Sequence, residues 1–308
     1  MKYLYIILGV IGIFIVTFFT FYEDNIYYNY AKFKVENNNK LLENIYYYED
    51  NFYYLDDYDG LAIHNKDELY ETIYYVINSG ATNVKRYFDI NYTNFEEDYN
   101  DIFLEKNQFL LNNINNFVHP YNTVDSINVN LKGYELSIHI TYKDTYPKDK
   151  RKLIDDKVDE LIASLITNDM DDRKKVEVIH DYIVNNTVYD KDFCIEENEE
   201  DCMVHSIYQS DTAYGVLFEN RGICSGYTDL MAIFLHKLGI VNYRVTNDSH
   251  TWNAVKIDNR WYHLDATWDD PVSKKDILTH TYFLITTYED TLLEDTHIFD
   301  KEIFIELS

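Results

Sequence analysis

The chain has 308 residues, the length of one large domain or two modest ones. Its 27 Lys and Arg against 54 Asp and Glu leave a formal charge of −27, which excludes a basic groove for nucleic acid and a polybasic grip on anionic lipid. A hydrophobic fraction of 46% with 17% aromatics excludes wholesale disorder, and the 31 tyrosines are read as a compositional habit carrying no function.

The first predicted element is the run from Tyr3 to Tyr22, YLYIILGVIGIFIVTFFTFY, which carries no charge. A helix of that length measures about 30 Å, the thickness of a bilayer's hydrocarbon core. Lys2 precedes the run and Glu23 and Asp24 follow it. The expectation is a single-pass cell-membrane protein, with 1–22 as a transmembrane signal-anchor and the rest on the extracytoplasmic side. A cleaved signal peptide is the alternative, and it leaves the working part on the same side. No cysteine lies near position 20, which argues against a lipoprotein anchor.

From Asn25 to about Asp50 the polar, Tyr- and Asn-rich sequence predicts a helix or stalk. Lys66 to Ser79 predicts a helix, with Asn65 as its cap and Gly80 at its end. A second helix is expected from Asn94 to Asn115. The hydrophobic period then falls to two: Ile127, Val129 and Leu131, then Leu136, Ile138 and Ile140 across Lys132-Gly133, predict a hairpin with one buried face. Pro147 opens a helix to about Thr167. The domain boundary is drawn near Tyr146, giving a small α+β support module over 23–146 and a working domain over 147–308. A further helix, capped by Asp172, puts Val176, Ile179 and Ile183 on one face. His180 and Asp181 fall near that face, and His180 is read as a hydrogen-bonded packing histidine before it is read as a ligand.

The three cysteines are an odd count for an oxidising compartment. Cys194 and Cys202 lie in an acidic loop, CIEENEEDC, and are a possible disulfide, with a free and solvated loop the alternative. That leaves Cys224. Gly222 allows a tight turn, after which Tyr227, Leu230, Met231, Phe234 and Leu238 fall at helical spacing until Gly239. Cys224 therefore sits at the N-terminus of a buried helix, where unpaired N–H groups and the macrodipole stabilise a thiolate and point at a developing oxyanion.

Downstream, two strand-like runs, His250 to Ile257 and Arg260 to Thr267, flank Asp258-Asn259, a good two-residue hairpin loop. With Ile257 opposite Arg260, His250, Trp252, Trp261, His263, Asp265 and Thr267 share one face. His250 and Asp265 become diagonal neighbours. A carboxylate that fixes one ring nitrogen of a histidine leaves the other to take a proton from a thiol. Cys224, His250 and Asp265 thus make a nucleophile, base and orienter.

The segments IHDYIVNNTVYD, GICSGYTDLMAIFLHKLGI and HTWNAVKIDNRWYHLDATWDDP resemble, in that order, the core of the transglutaminase-like superfamily, in particular its bacterial cell-surface members. The resemblance covers about Asp172 to Pro271, a third of the chain. It implies an α+β, papain-like transglutaminase core, preceded here by the small α+β module and the membrane helix. It also implies Cys224 as nucleophile, His250 as base and Asp265 as orienting residue, and it marks Trp252 and Ser225 as candidate substrate-binding or oxyanion residues. Many relatives carry Gln or a small residue where this chain has Ser225. The implied activity is thiol acyl transfer on peptide or glutamine carboxamides through a Cys thioester, ending in hydrolysis or in transfer to an amine. Cell-surface proteins or peptide-bearing wall polymers are the expected partners. A catalytically silent surface binding or scaffold module of the same fold is the alternative. No cofactor and no metal is expected: His205, His236, His263 and His280 show no close ligand spacing, and the acidic runs contain no 12-residue calcium loop.

Overall fold

The computed structural model describes residues 22–37, 44–46, 60–104, 113–193, 206–271, 277–286 and 297–307. The apolar run before Tyr22 and the Cys194 and Cys202 pair lie outside the described residues. Among those described, no helix is long and apolar enough to cross a membrane. The chain divides into two units: residues 1–111 with 124–142, and residues 112–123 with 143–308.

In the first unit, residues 22–36 form helix α1. Ala31 and Val35 on this helix are buried against Tyr87, so this stretch packs onto a sheet where the sequence left a stalk open. Strand β1 (Ala62–Ile63) leads into α2 (Lys66–Asn78), and the Asn65 side chain caps α2 by accepting from the Glu68 N–H at 2.9 Å. Gly80 ends the turn after α2 at φ +69°, a conformation that glycine adopts without strain. Strand β2 (Asn83–Phe88) follows, then α3 (Phe95–Phe103), which covers the first part of the helix expected over 94–115. The predicted hairpin is β3 (Val124–Lys132) with β4 (Glu135–Tyr142), paired Leu131 to Leu136. The sheet order is β1-β2-β4-β3.

In the second unit, α4 (Lys148–Leu165) starts after Pro147. Helix α5 (Asp172–Asn186) is capped by Asp171 and not by Asp172. The backbone is still extended at Asp171, whose carboxylate accepts from the Lys174 N–H at 2.8 Å. Strand β5 (Val188–Tyr189) pairs in parallel with β6 (Arg221–Gly222), directly before α6 (Cys224–Lys237). An antiparallel sheet, β7 (Asn242–Thr246), β8 (Thr251–Ile257) and β9 (Arg260–Leu264), completes the unit. Its register is the expected one: Ile257 faces Arg260 and Asn253 faces Leu264. Asp258 and Asn259 both take positive φ, the two-residue turn that matches strand twist.

Helix α6 lies on the Thr251, Asn253 and Val255 face of β8. Thr228 ties it there, its hydroxyl donating to the Thr251 carbonyl and its own carbonyl accepting from the Asn253 amide, each at 3.1 Å. The opposite face, which carries Trp252 and His263, is covered by the C-terminal segment: Phe299 packs on His263, and Phe304 stacks on Tyr243. Covered on both faces, β8 is buried at every residue except Lys256.

Candidate active site

Three elements converge at the N-terminal end of α6. Tight backbone packing positions the helix start. A Cβ at Gly226 would lie 2.4 Å from the Ser210 carbonyl oxygen, and one at Gly215 would lie 2.1 Å from that of Gln209. Both positions therefore exclude any side chain. Asp190, just after β5, secures the same approach by accepting from the Ser206 and Ser210 hydroxyls. The Ile223 N–H donates to the Ser210 carbonyl at 2.8 Å. Cys224 is the first residue of α6 and is partly exposed. No side chain caps this helix, and the first N–H groups of a helix have no intrahelical partner, so they remain for an incoming oxygen.

His250 and Asp265 flank the ends of β8 and β9, and His250 Nε2 lies 2.5 Å from Asp265 Oδ2. With Nε2 engaged, Nδ1 is the nitrogen left for a thiol. Burial opposes charge on this imidazole, but hydrogen bonding to Asp265 and to Cys224, together with their negative charge, outweighs it and raises the pKa to about 9. The cysteine, imidazole and carboxylate singled out in the sequence are thus brought together.

Asp265 is held on every side. Its Oδ1 accepts from the Thr267 N–H at 2.8 Å and the Trp268 N–H at 3.1 Å. Its Oδ2 takes a second imidazole besides His250: His297 Nε2, at 2.8 Å. Burial pushes the carboxyl up, but the hydrogen bonds and charges of the two histidines prevail and hold it at about 2. His297 is 1% exposed, stacked on Tyr282 and packed edge-on against Trp252. The sequence reading missed it. It lies 32 residues beyond Asp265, outside every motif, and no periodicity marks it.

Trp252 stacks on the His250 ring, with centroids 5.6 Å apart and planes at 18°. Its indole N–H donates to His263 Nδ1 at 3.0 Å, so that donor is committed away from any oxyanion. Burial, reinforced by the charge of His297, pushes His263 down to about 3 and keeps it a neutral acceptor. The Ser225 hydroxyl donates to the Asp211 carbonyl at 3.0 Å and tethers the 209–212 loop to the helix. Trp268, 42% exposed, meets the His250 ring edge-on and gives the open side of the site an aromatic wall.

Residues 159–266, which include Cys224, His250 and Asp265, match the model of the transglutaminase-like superfamily. No functionally curated protein matches the sequence. Similar solved structures include a TGase crystal structure, 20% identical, with a TM-score of 0.34 over 63% of this chain and 52% of that one. Another is a protein proposed to be a cysteine protease from Cytophaga hutchinsonii, 14% identical, with a TM-score of 0.26 over 46% of this chain and 61% of that one. This chain therefore spans about half the length of the first and about three fifths of the second. Likeness of that extent carries no argument about activity.

Proposed function

We propose that the protein is a membrane-anchored, extracytoplasmic acyl-transfer enzyme that works through a thioester on Cys224. The observation that carries this reading is the state of His250, hydrogen-bonded to Asp265 through one nitrogen and raised to about 9 by Asp265 and Cys224 together. A thiol beside such an imidazole gives up its proton to it and becomes the nucleophile.

In the proposed reaction, Nδ1 of His250 takes the Sγ proton and the thiolate attacks a carboxamide carbon. The oxyanion forms against the first N–H groups of α6. Collapse breaks the C–N bond, and His250 returns its proton to the departing amine or ammonia. Asp265 holds the ring in one orientation throughout, and Trp252 fixes its plane. Water then cleaves the thioester to an acid, or an amine converts it to a new amide. Both regenerate the thiol.

The extracytoplasmic placement rests on the Tyr3 to Tyr22 run and the charges flanking it. It would bring cell-surface proteins and peptide-bearing wall polymers within reach. Incubating the protein with surface proteins and wall peptides, then reading products by mass spectrometry, tests the reaction. A Gln–Lys isopeptide supports transfer, and a gain of water across an amide supports hydrolysis. Neither product, or equal product from Cys224→Ala, would overturn the proposal and leave a binding module.

A further inference from the structure

We infer that His180, Asp181 and His280 form a site for a first-row divalent metal ion, zinc foremost, separate from the Cys224 centre. The three side chains each present one ligand atom, and these atoms lie within 4.8 Å of one another. Two imidazoles with one carboxylate suit zinc, cobalt or nickel better than calcium or magnesium, which take oxygen.

The hydrogen-bond pattern of His180 is the main argument. This side chain is wholly buried, with a carboxylate oxygen 3.1 Å from each ring nitrogen: Asp181 Oδ1 at Nδ1 and Asp269 Oδ2 at Nε2. Asp269 is itself fully buried, and its other oxygen already accepts from the Thr279 hydroxyl at 2.8 Å and the Tyr282 N–H at 3.0 Å. With Nε2–H donated to Asp269, Nδ1 presents its lone pair on the side of Asp181 Oδ1, and the same oxygen lies 2.7 Å from His280 Nε2.

A cation among these atoms turns opposed lone pairs into ligands. Tetrahedral zinc with bonds of about 2.0–2.1 Å sets its ligand atoms roughly 3.3 Å apart, and Asp181 Oδ1 already lies 3.1 Å from His180 Nδ1 and 2.7 Å from His280 Nε2. A carboxylate on the far nitrogen of a ligating histidine, as Asp269 is to His180, fixes the tautomer and strengthens the ligand. Asp181 and His280 are 32% and 41% exposed, which gives the ion an entry path and a water for its fourth position.

The site also has a structural consequence. Asp269 accepts from Tyr282 N–H, the Asp265 N–H donates to the Tyr282 carbonyl at 3.1 Å, and the Asp269 N–H donates to the Asp265 carbonyl at 3.2 Å. A metal joining His180 on α5 to His280 would therefore fasten the return that carries Asp265.

The test is titration of the full chain with zinc chloride by calorimetry, with metal content after dialysis read by mass spectrometry. The Cys224→Ser/His250→Ala double variant removes the other centre where zinc could lodge, and His280→Ala, a change at a half-exposed position, removes one proposed ligand with little threat to folding. One equivalent is expected in wild type and in the double variant, with affinity at least 100-fold weaker in His280→Ala and in Asp181→Asn. Zinc should raise the melting temperature of wild type and not of His280→Ala. Two results would overturn the site: wild type binding no better than His280→Ala, or binding lost in the double variant and kept in His280→Ala.

Discussion

His297 and Asp265 are joined by a 2.8 Å hydrogen bond on the same carboxylate oxygen that His250 occupies. One oxygen thus divides its charge between two imidazoles. His297 is a positioning residue: it shares Asp265 Oδ2 with His250 and packs edge-on against the His250 ring, with centroids 5.4 Å apart.

Removing that partner has a defined effect. His297→Phe keeps the packing against Tyr282 and Trp252 but returns the whole charge of Asp265 Oδ2 to His250. The alkaline limb of Cys224 alkylation should move to higher pH, and stability should fall by about 1.5–3 kcal/mol for a lost hydrogen bond to a charged group. A pH–rate profile and a denaturant titration check both. An unmoved limb would mean that His297 only fills space.

Glycine at 226 is required by the 2.4 Å approach of the Ser210 carbonyl. Gly226→Ala should cost about 1–3 kcal/mol, as overpacked sites do, and should shift Cys224 with the helix start. Thermal denaturation together with the alkylation rate reads both effects. Gly239→Ala is the contrasting case, because nothing lies within 4 Å of a Cβ there and any cost comes from backbone strain at φ +69°, with no shift of Cys224 expected.

His263 links stability to acid. Its pKa is near 6.5 in the unfolded chain and about 3 when folded. Below pH 6.5 the unfolded state binds the extra proton, so stability should decline as pH falls from there toward 3, by a few kcal/mol in all. His263→Gln keeps an acceptor for the Trp252 indole and removes the titration. Its urea midpoint should vary less between pH 6 and pH 4 than that of wild type. An equal slope in both proteins would contradict the assignment.

The parts of the site that were legible in the sequence are those set by local rules. The strand period and the Asp258-Asn259 turn fix the register that aligns Asp265 with His250, and the Gly222 turn with the helical run after it places Cys224 at a helix start. Contacts between distant segments were not legible. His297 reaches Asp265 from a stretch with no motif, and His280 reaches Asp181 across 99 residues. The face of β8 that carries Trp252 is closed by Phe299 and Phe304, which nothing in the alternation of β8 and β9 foretells. The resemblance marks Trp252 as a substrate-binding or oxyanion residue, yet it stacks on the imidazole with its N–H spent on His263.

The most direct test of the Cys224–His250–Asp265 arrangement is the pH dependence of iodoacetamide alkylation at Cys224, in wild type and in His250→Ala. With the imidazole at about 9, the wild-type thiol should react fast at pH 7. The substitution should slow it by about 100-fold or more, the scale expected of a positioned proton acceptor. Wild-type alkylation that sets in only above pH 8, at a rate His250→Ala leaves unchanged, would contradict it.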